Sequence, residues 1–154
     1  MKTIRKDVFE TNSSSTHSIS IINKGTIPYA TYKLCVDNIL YPKELESYQI
    51  EVKSNYNDDY ILSCDTKDKK TALVCHWIKA IFDSPTVINE FFNYLEANLN
   101  YDGIDRNFES KYHPYEDESF NLFDSYNAVI KDLDPLIEII LDDNKVIKVE
   151  YYEH

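Results

Sequence analysis

The chain has 154 residues and carries 27 acidic against 16 basic side chains, a net charge of −11; this is room for one complete core, since domains typically span about 100–150 residues. Only Arg5 and Arg106 are arginines, and because Lys and Arg supply nucleic-acid affinity by displacing counterions, the composition argues against direct nucleic-acid binding and for a basic protein partner. No stretch approaches the roughly 20 apolar residues that cross a bilayer, which argues against membrane insertion.

Thr3 to Phe9 and Ile19 to Asn23 read as short β-type runs on either side of a hydroxyl-rich segment, so Glu10 to Ser18 is expected to connect two strands or to end one edge of a sheet. Lys24-Gly25 and Pro28 break the second run. Tyr29 to Val36 then alternates as a strand should, and Tyr48 to Lys53 and Tyr60 to Cys64 offer two more, separated by a turn at Asn55, Asn57, Asp58 and Asp59.

From Thr66 the period changes. Leu73, Trp77, Ala80 and Ile81 form one stripe and Val74, Ile78 and Phe82 a neighbouring one, which predicts a central helix near 70–83 that is apolar around most of its circumference. Ser84-Pro85 supplies an N-cap followed by proline at the first helical position, predicting a second helix over 85–99.

Asp105 to Ser119 is charged and aromatic without periodicity and reads as an exposed loop, and Phe120 to Leu133 carries a third helical pattern that Asp134-Pro135 is expected to stop. The remaining LIEIILDDNKVIKVEYY looks like two β-branched runs around a DDNK turn, a C-terminal hairpin. The expected architecture is a single α+β domain over residues 1–154, an antiparallel sheet of N-terminal strands plus that hairpin, packed against about three helices. Its predicted core contains Leu73, Trp77, Ile81, Ile88, Phe92, Leu95, Phe123 and Ile130.

Chemistry is sparse. Gly25 and Gly103 are the only glycines, which removes the phosphate cradles that need glycine for positive φ and close backbone approach. Cys35, Cys64 and Cys75 are odd in number and unevenly spaced, and no apolar signal run precedes them, so reduced thiols in the cytoplasm are expected. No ligand pair has metal spacing, and neither a metal nor a cofactor is expected. His76 lies between Cys75 and Trp77 in the core-like helix and reads as a satisfied structural histidine, with Cys75 a small buried apolar residue.

The densest polar segment is Glu10 to Ser18, where Thr11, Ser13, Ser14, Ser15, Thr16 and Ser18 stand among Glu10, Asn12 and His17. Hydroxyls of this kind bond nearby backbone groups in turns and caps. Three readings stay open: structural capping, a loop that binds an anion through Asn12, Ser13, Ser14, Ser15, Thr16 and His17 with Arg5 or Lys6 as counter-charge, and a catalytic site. Glu10 fits the anion reading poorly, because a carboxylate repels phosphate.

RKDVFETNSSSTHSISI at the start of the chain resembles the opening of an uncharacterised group of bacterial and bacteriophage proteins, mostly from Firmicutes, that begin with an FETNSSSTHS-type segment. The resemblance covers Phe9 to Ser18 and implies a phage or mobile-element origin. It assigns no catalytic residue. Together with the acidic charge it leads to the expectation of a non-catalytic protein that binds a basic host surface and inhibits a nucleic-acid-binding defence complex. Asp58, Asp59 and Tyr60, and Tyr115, Glu116, Asp117 and Glu118, are the acidic and aromatic contact residues expected for it. The alternative is a phosphate- or nucleotide-binding protein or enzyme that uses the ETNSSSTHS segment.

Overall fold

The computed structural model describes residues 15–23, 33–48, 50–51, 60–112 and 130–153. In chain order the elements are β1 (Ser15–Asn23), β2 (Cys35–Val36), β3 (Ile39–Leu40), β4 (Ile50–Glu51), β5 (Tyr60–Cys64), α1 (Lys67–Ile81), α2 (Pro85–Leu99), β6 (Gly103–Ile104), α3 (Asp134–Leu141) and β7 (Lys145–Glu153), with 3-10 helices at Pro42–Tyr48 and Ile130–Leu133.

The chain folds as a single α+β domain whose four-stranded sheet has the order β1-β7-β5-β4 and is antiparallel throughout. β7 is its axis. Ser15 pairs with Glu153 and Asn23 with Lys145 on one side, while Tyr60 pairs with Tyr151 and Cys64 with Ile147 on the other. Side chains alternate across a strand, so Ile19, Leu62, Cys64, Ile147 and Val149 enter the core, and Ser18, Ser20, Ser63, Lys148 and Glu150 share the half-exposed opposite face. There Lys148 and Glu150 form an ion pair at 2.8 Å.

Helix α1 is the centre of the molecule, buried on almost every side because the 3-10 helix at Pro42–Tyr48, α2, α3 and β5 all contact it. Thr66 caps it, its hydroxyl accepting from the Lys69 amide at 3.2 Å. Ser84 caps α2 in the same way, with Pro85 opening the helix, and Asn100 closes it in the left-handed conformation at φ 61°. Phe91, Phe92, Leu95 and Leu99 face inward, and Phe91 stacks on Phe82 with ring centroids 4.8 Å apart.

A second, three-stranded sheet in the order β2-β3-β6 sits beyond the α2 C-terminus. Asp37 and Asn38 join β2 to β3 with φ of 51° and 61°, the pair of positive angles that a two-residue type I′ hairpin requires. The turn is locked to the helix end: Asn38 Nδ2 donates to the Asn100 carbonyl at 2.9 Å, and the Asp102 amide donates to the Asn38 carbonyl at 2.9 Å.

The structure corrects four expectations. Ser15 to Ser18 are not part of a connecting loop but the first residues of β1, their register fixed by pairing with β7. Asp134-Pro135 opens a helix instead of stopping one, because Pro135 sits in the first turn, where its missing N–H has no intrahelical partner to lose. Leu136 to Leu141 is therefore helical, with Leu136, Ile137 and Ile140 buried, and the C-terminal sheet element is the single strand β7. Asp105 to Tyr112 has no regular structure yet is not an exposed loop, since Phe108 and Tyr112 are buried.

Of the predicted core, Leu73, Trp77, Ile81, Phe92 and Leu95 are buried and Ile88 packs against them half-buried. Ile130 is half-buried, in a 3-10 turn in place of the predicted helix. Phe123 and the remainder of that helix up to residue 129, the strand at Thr3 to Phe9, and the first residues of Tyr29 to Val36 lie outside the described residues; of that third run only Cys35–Val36 is strand.

Candidate functional site

Lys70, Lys79 and His76 of α1 all work on neighbouring backbone. Lys70 is fully buried, and its ammonium donates to the carbonyls of Ile139 at 2.8 Å, Asp142 at 2.8 Å and Lys145 at 2.9 Å, satisfying the end of α3 and the start of β7 together. Lys69, the residue before it, pairs with buried Asp65 at 2.9 Å, the carboxylate satisfying a cation that burial would otherwise penalise. Lys79 donates to the carbonyls of Arg106 at 2.5 Å and Phe108 at 2.6 Å, with its ammonium 4.1 Å from the Phe108 ring centroid.

His76 is fully buried and bonded through both ring nitrogens to backbone. Nδ1 accepts from the Lys111 amide at 3.1 Å, so the ring proton is on Nε2, which donates to the Pro42 carbonyl at 2.8 Å. The rings of Phe108 and Tyr112 flank it with centroids at 4.7 and 5.0 Å. This is the satisfied structural histidine that its place in the sequence suggests.

Asp105 to Tyr112 thus forms a strap across α1. Arg106 anchors its near end to α2: Nη1 lies 2.7 Å from Glu96 Oε1 and donates to the Ile104 carbonyl at 2.6 Å, while Nη2 donates to Asn93 at 2.9 Å. Between strap, α1 and α2 lies an open cleft of about 670 Å³, lined among others by Lys79, Asp83, Ile88, Asn89, Arg106 and Phe108. Both of its cations are engaged by the protein's own oxygens.

The three thiols and the Tyr101 hydroxyl hold their protons. Burial pushes the Cys64 and Cys75 thiols well above the ordinary range, and burial together with Asp68 raises Cys35. Burial and the hydrogen bond to Asp68 Oδ1, at 2.5 Å, raise the Tyr101 hydroxyl, over whose ring the Lys67 ammonium sits at 4.4 Å. A nucleophile needs the opposite shift. Among the described residues no three His, Cys, Asp or Glu side chains are placed to hold a metal.

The surface differs from the interior. Among the described residues, Asp37, Glu44, Asp83, Glu90, Asp102, Glu109, Asp134, Glu138 and Asp143 are exposed, against Lys33, Lys43 and Lys111 as the exposed cations. Glu90 and Tyr94 lie one turn apart on α2, Asp134 and Glu138 one turn apart on α3, and the Tyr94 hydroxyl donates to Asp134 Oδ1 at 2.6 Å across the seam. Leu141, 53% exposed, ends the stripe. No sequence pattern marked it, because α3 reads as a strand and its carboxylates are spaced like any solvated face.

Arg5, Glu10, Asn12, Ser13 and Ser14 lie outside the described residues; Ser15, Thr16 and His17 are in β1, opposite Glu153, Tyr152 and Tyr151. Asp58, Asp59, Tyr115, Glu116, Asp117 and Glu118 also lie outside them, and Tyr60 opens β5, paired with Glu51 and Tyr151. Comparison of the chain with protein-family models, with curated proteins and with solved structures finds no match.

Proposed function

We propose that the protein acts by non-catalytic binding to a basic protein surface, as a phage or mobile-element product directed at a host nucleic-acid-binding defence complex. The observation that carries this reading is the inward use of its cations. Lys69, Lys70, Lys79 and Arg106 are bonded to the protein's own carboxylates, amides and carbonyls, which leaves the described surface more one-sidedly acidic than the composition. A patch of one sign steers an oppositely charged partner and suppresses wrong ones.

The contact face we favour is the α2–α3 seam, where exposed Glu90 lies one turn from Tyr94 and exposed Glu138 one turn from Asp134, the acceptor of the Tyr94 hydroxyl. Carboxylates there supply steering, and Tyr supplies contact area at small entropy cost.

The test is affinity capture of a basic partner from the host, followed by association kinetics for the wild type and the triple variant Glu90→Lys, Asp134→Lys, Glu138→Lys. Association should slow in the variant and with added salt. Kinetics indifferent to both changes sink the proposal, and a thermal shift with nucleotides in place of any captured protein favours the alternative site in the N-terminal segment.

A further inference from the structure

The strap is held to α1 by side chains, not by a sheet ladder, and one of its anchors is a group that a proton rewrites. His76 Nδ1 accepts from the Lys111 amide, Ser110 Oγ donates to the His76 carbonyl at 2.7 Å, and the His76 ring packs against Phe108 and Tyr112. The same strap supplies Arg106, Phe108, Glu109 and Ser110 to the wall of the cleft.

We infer that His76 is an acid-sensitive latch: protonation at Nδ1 releases the strap at Lys111, loosening the end of the strap that carries Tyr112. In the neutral ring Nδ1 has one lone pair, and the Lys111 N–H occupies it. A proton there sets two donors face to face, so the bond to Lys111 is lost outright. Nε2 keeps its proton in either state and its bond to Pro42 survives, so the ring stays docked on the 3-10 helix while the strap lets go.

Among the described residues, the charged groups on the elements around the ring include Lys79 on α1, Lys43, Glu44 and Glu46 on the 3-10 helix at Pro42–Tyr48, Glu96 on α2, and Asp105, Arg106, Glu109 and Lys111 on the strap itself. Arg106 faces Glu96, and the Lys79 ammonium sits on the strap carbonyls. A cation at His76 is thus added one helical turn from Lys79, a second group gripping the strap, and the two like charges repel. The inference does not depend on the proposed acidic contact face, which lies on α2 and α3.

Hydrogen exchange at the Lys111 amide, corrected for its intrinsic pH dependence, tests this on the whole chain. Opening linked to one proton makes exchange up to about tenfold faster for each unit by which pH falls through the range where the ring takes up its proton. The Val149 amide in β7, the reporter of global unfolding, should stay protected over that range. In His76→Gln, which keeps a donor but no titrating ring, the dependence should vanish.

Nitrogen chemical shifts of the His76 ring in the wild type provide the second measurement, which stands even where the variant fails to fold: the ring should become a cation in step with release of Lys111. Exchange at Lys111 that is flat with pH, a slope retained in His76→Gln, a cationic ring beneath a protected strap, or Val149 opening together with Lys111 each overturns the latch.

Discussion

The ammonium of Lys70, near the start of α1, lies 2.9 Å from the carbonyl of Lys145, the first residue of β7 and 75 positions later in the chain. A buried cation so placed replaces a helix cap: the carbonyls of Ile139, Asp142 and Lys145 converge on one donor where the chain turns from α3 into β7.

Lys70→Met removes that donor while keeping most of the side-chain volume. Three half-buried carbonyls lose a charge-assisted bond, and the expected loss is about 3 kcal/mol or more. Urea unfolding measures it; a midpoint like that of the wild type would show that water takes over the role of the ammonium.

Trp77 is fully buried in the same helix. Trp77→Ala leaves a cavity that close-packed neighbours fill only in part, at a cost of roughly 3 to 5 kcal/mol. Thermal melting checks this, and an unshifted transition would contradict the central position of α1.

Alkaline pH provides a third measurement. Cys64 and Cys75 are raised above the ordinary thiol value of 9.0 by burial, so the folded state keeps protons that the unfolded chain releases. The sign follows: stability is unaffected by these thiols below about 9 and falls as pH rises beyond it, by about 1.4 kcal/mol per unit for each thiol. Cys75→Ala should lower the slope by one such increment. An equal slope in variant and wild type would place Cys75 in contact with solvent.

The two left-handed asparagines should respond differently to glycine. Asn100 closes α2 at φ 61° and contributes its backbone carbonyl to the bond from Asn38, so Asn100→Gly relieves a Cβ restriction without breaking that bond, for a gain of about 0.5 kcal/mol. Asn38 has the same φ but donates through its side chain. Asn38→Gly is therefore expected to give no gain, and parallel melting curves for the two variants would test the difference.

What the sequence made legible was whatever a single element determines. The Ser84-Pro85 signal located the start of α2, and the near-continuous apolar pattern identified α1 as central, because caps and helical stripes act within a few residues. Where long-range pairing decides, reading the chain failed. Ser15 to His17 have the composition of a loop and become strand because β7 supplies partners for their backbone. Leu136 to Leu141 look like strand and become helix because Pro135 starts one. The Asp37-Asn38 turn lacks the glycine that would have announced a hairpin, and its lock is a side chain reaching Asn100. The strap was equally hidden: nothing near Arg106 reveals Lys79 and His76, which are neighbours only after folding. The same holds for the candidate surface, since inward use of cations is a property of partners and not of residue counts.

The pairing of β1 with β7 has a consequence in time. Asn23 and Lys145, bonded at 3.1 Å through their side chains, are 122 residues apart, so a ribosome completes the first strand long before it makes the strand that β1 lies against. Helices α1 and α2 have their local contacts in hand by then, whereas the sheet closes only after the α3 segment has been synthesised. Such non-local closure is slow and leaves apolar edges unpaired in the interim, and that interval during synthesis, more than the finished protein, is when this chain is exposed to misassembly.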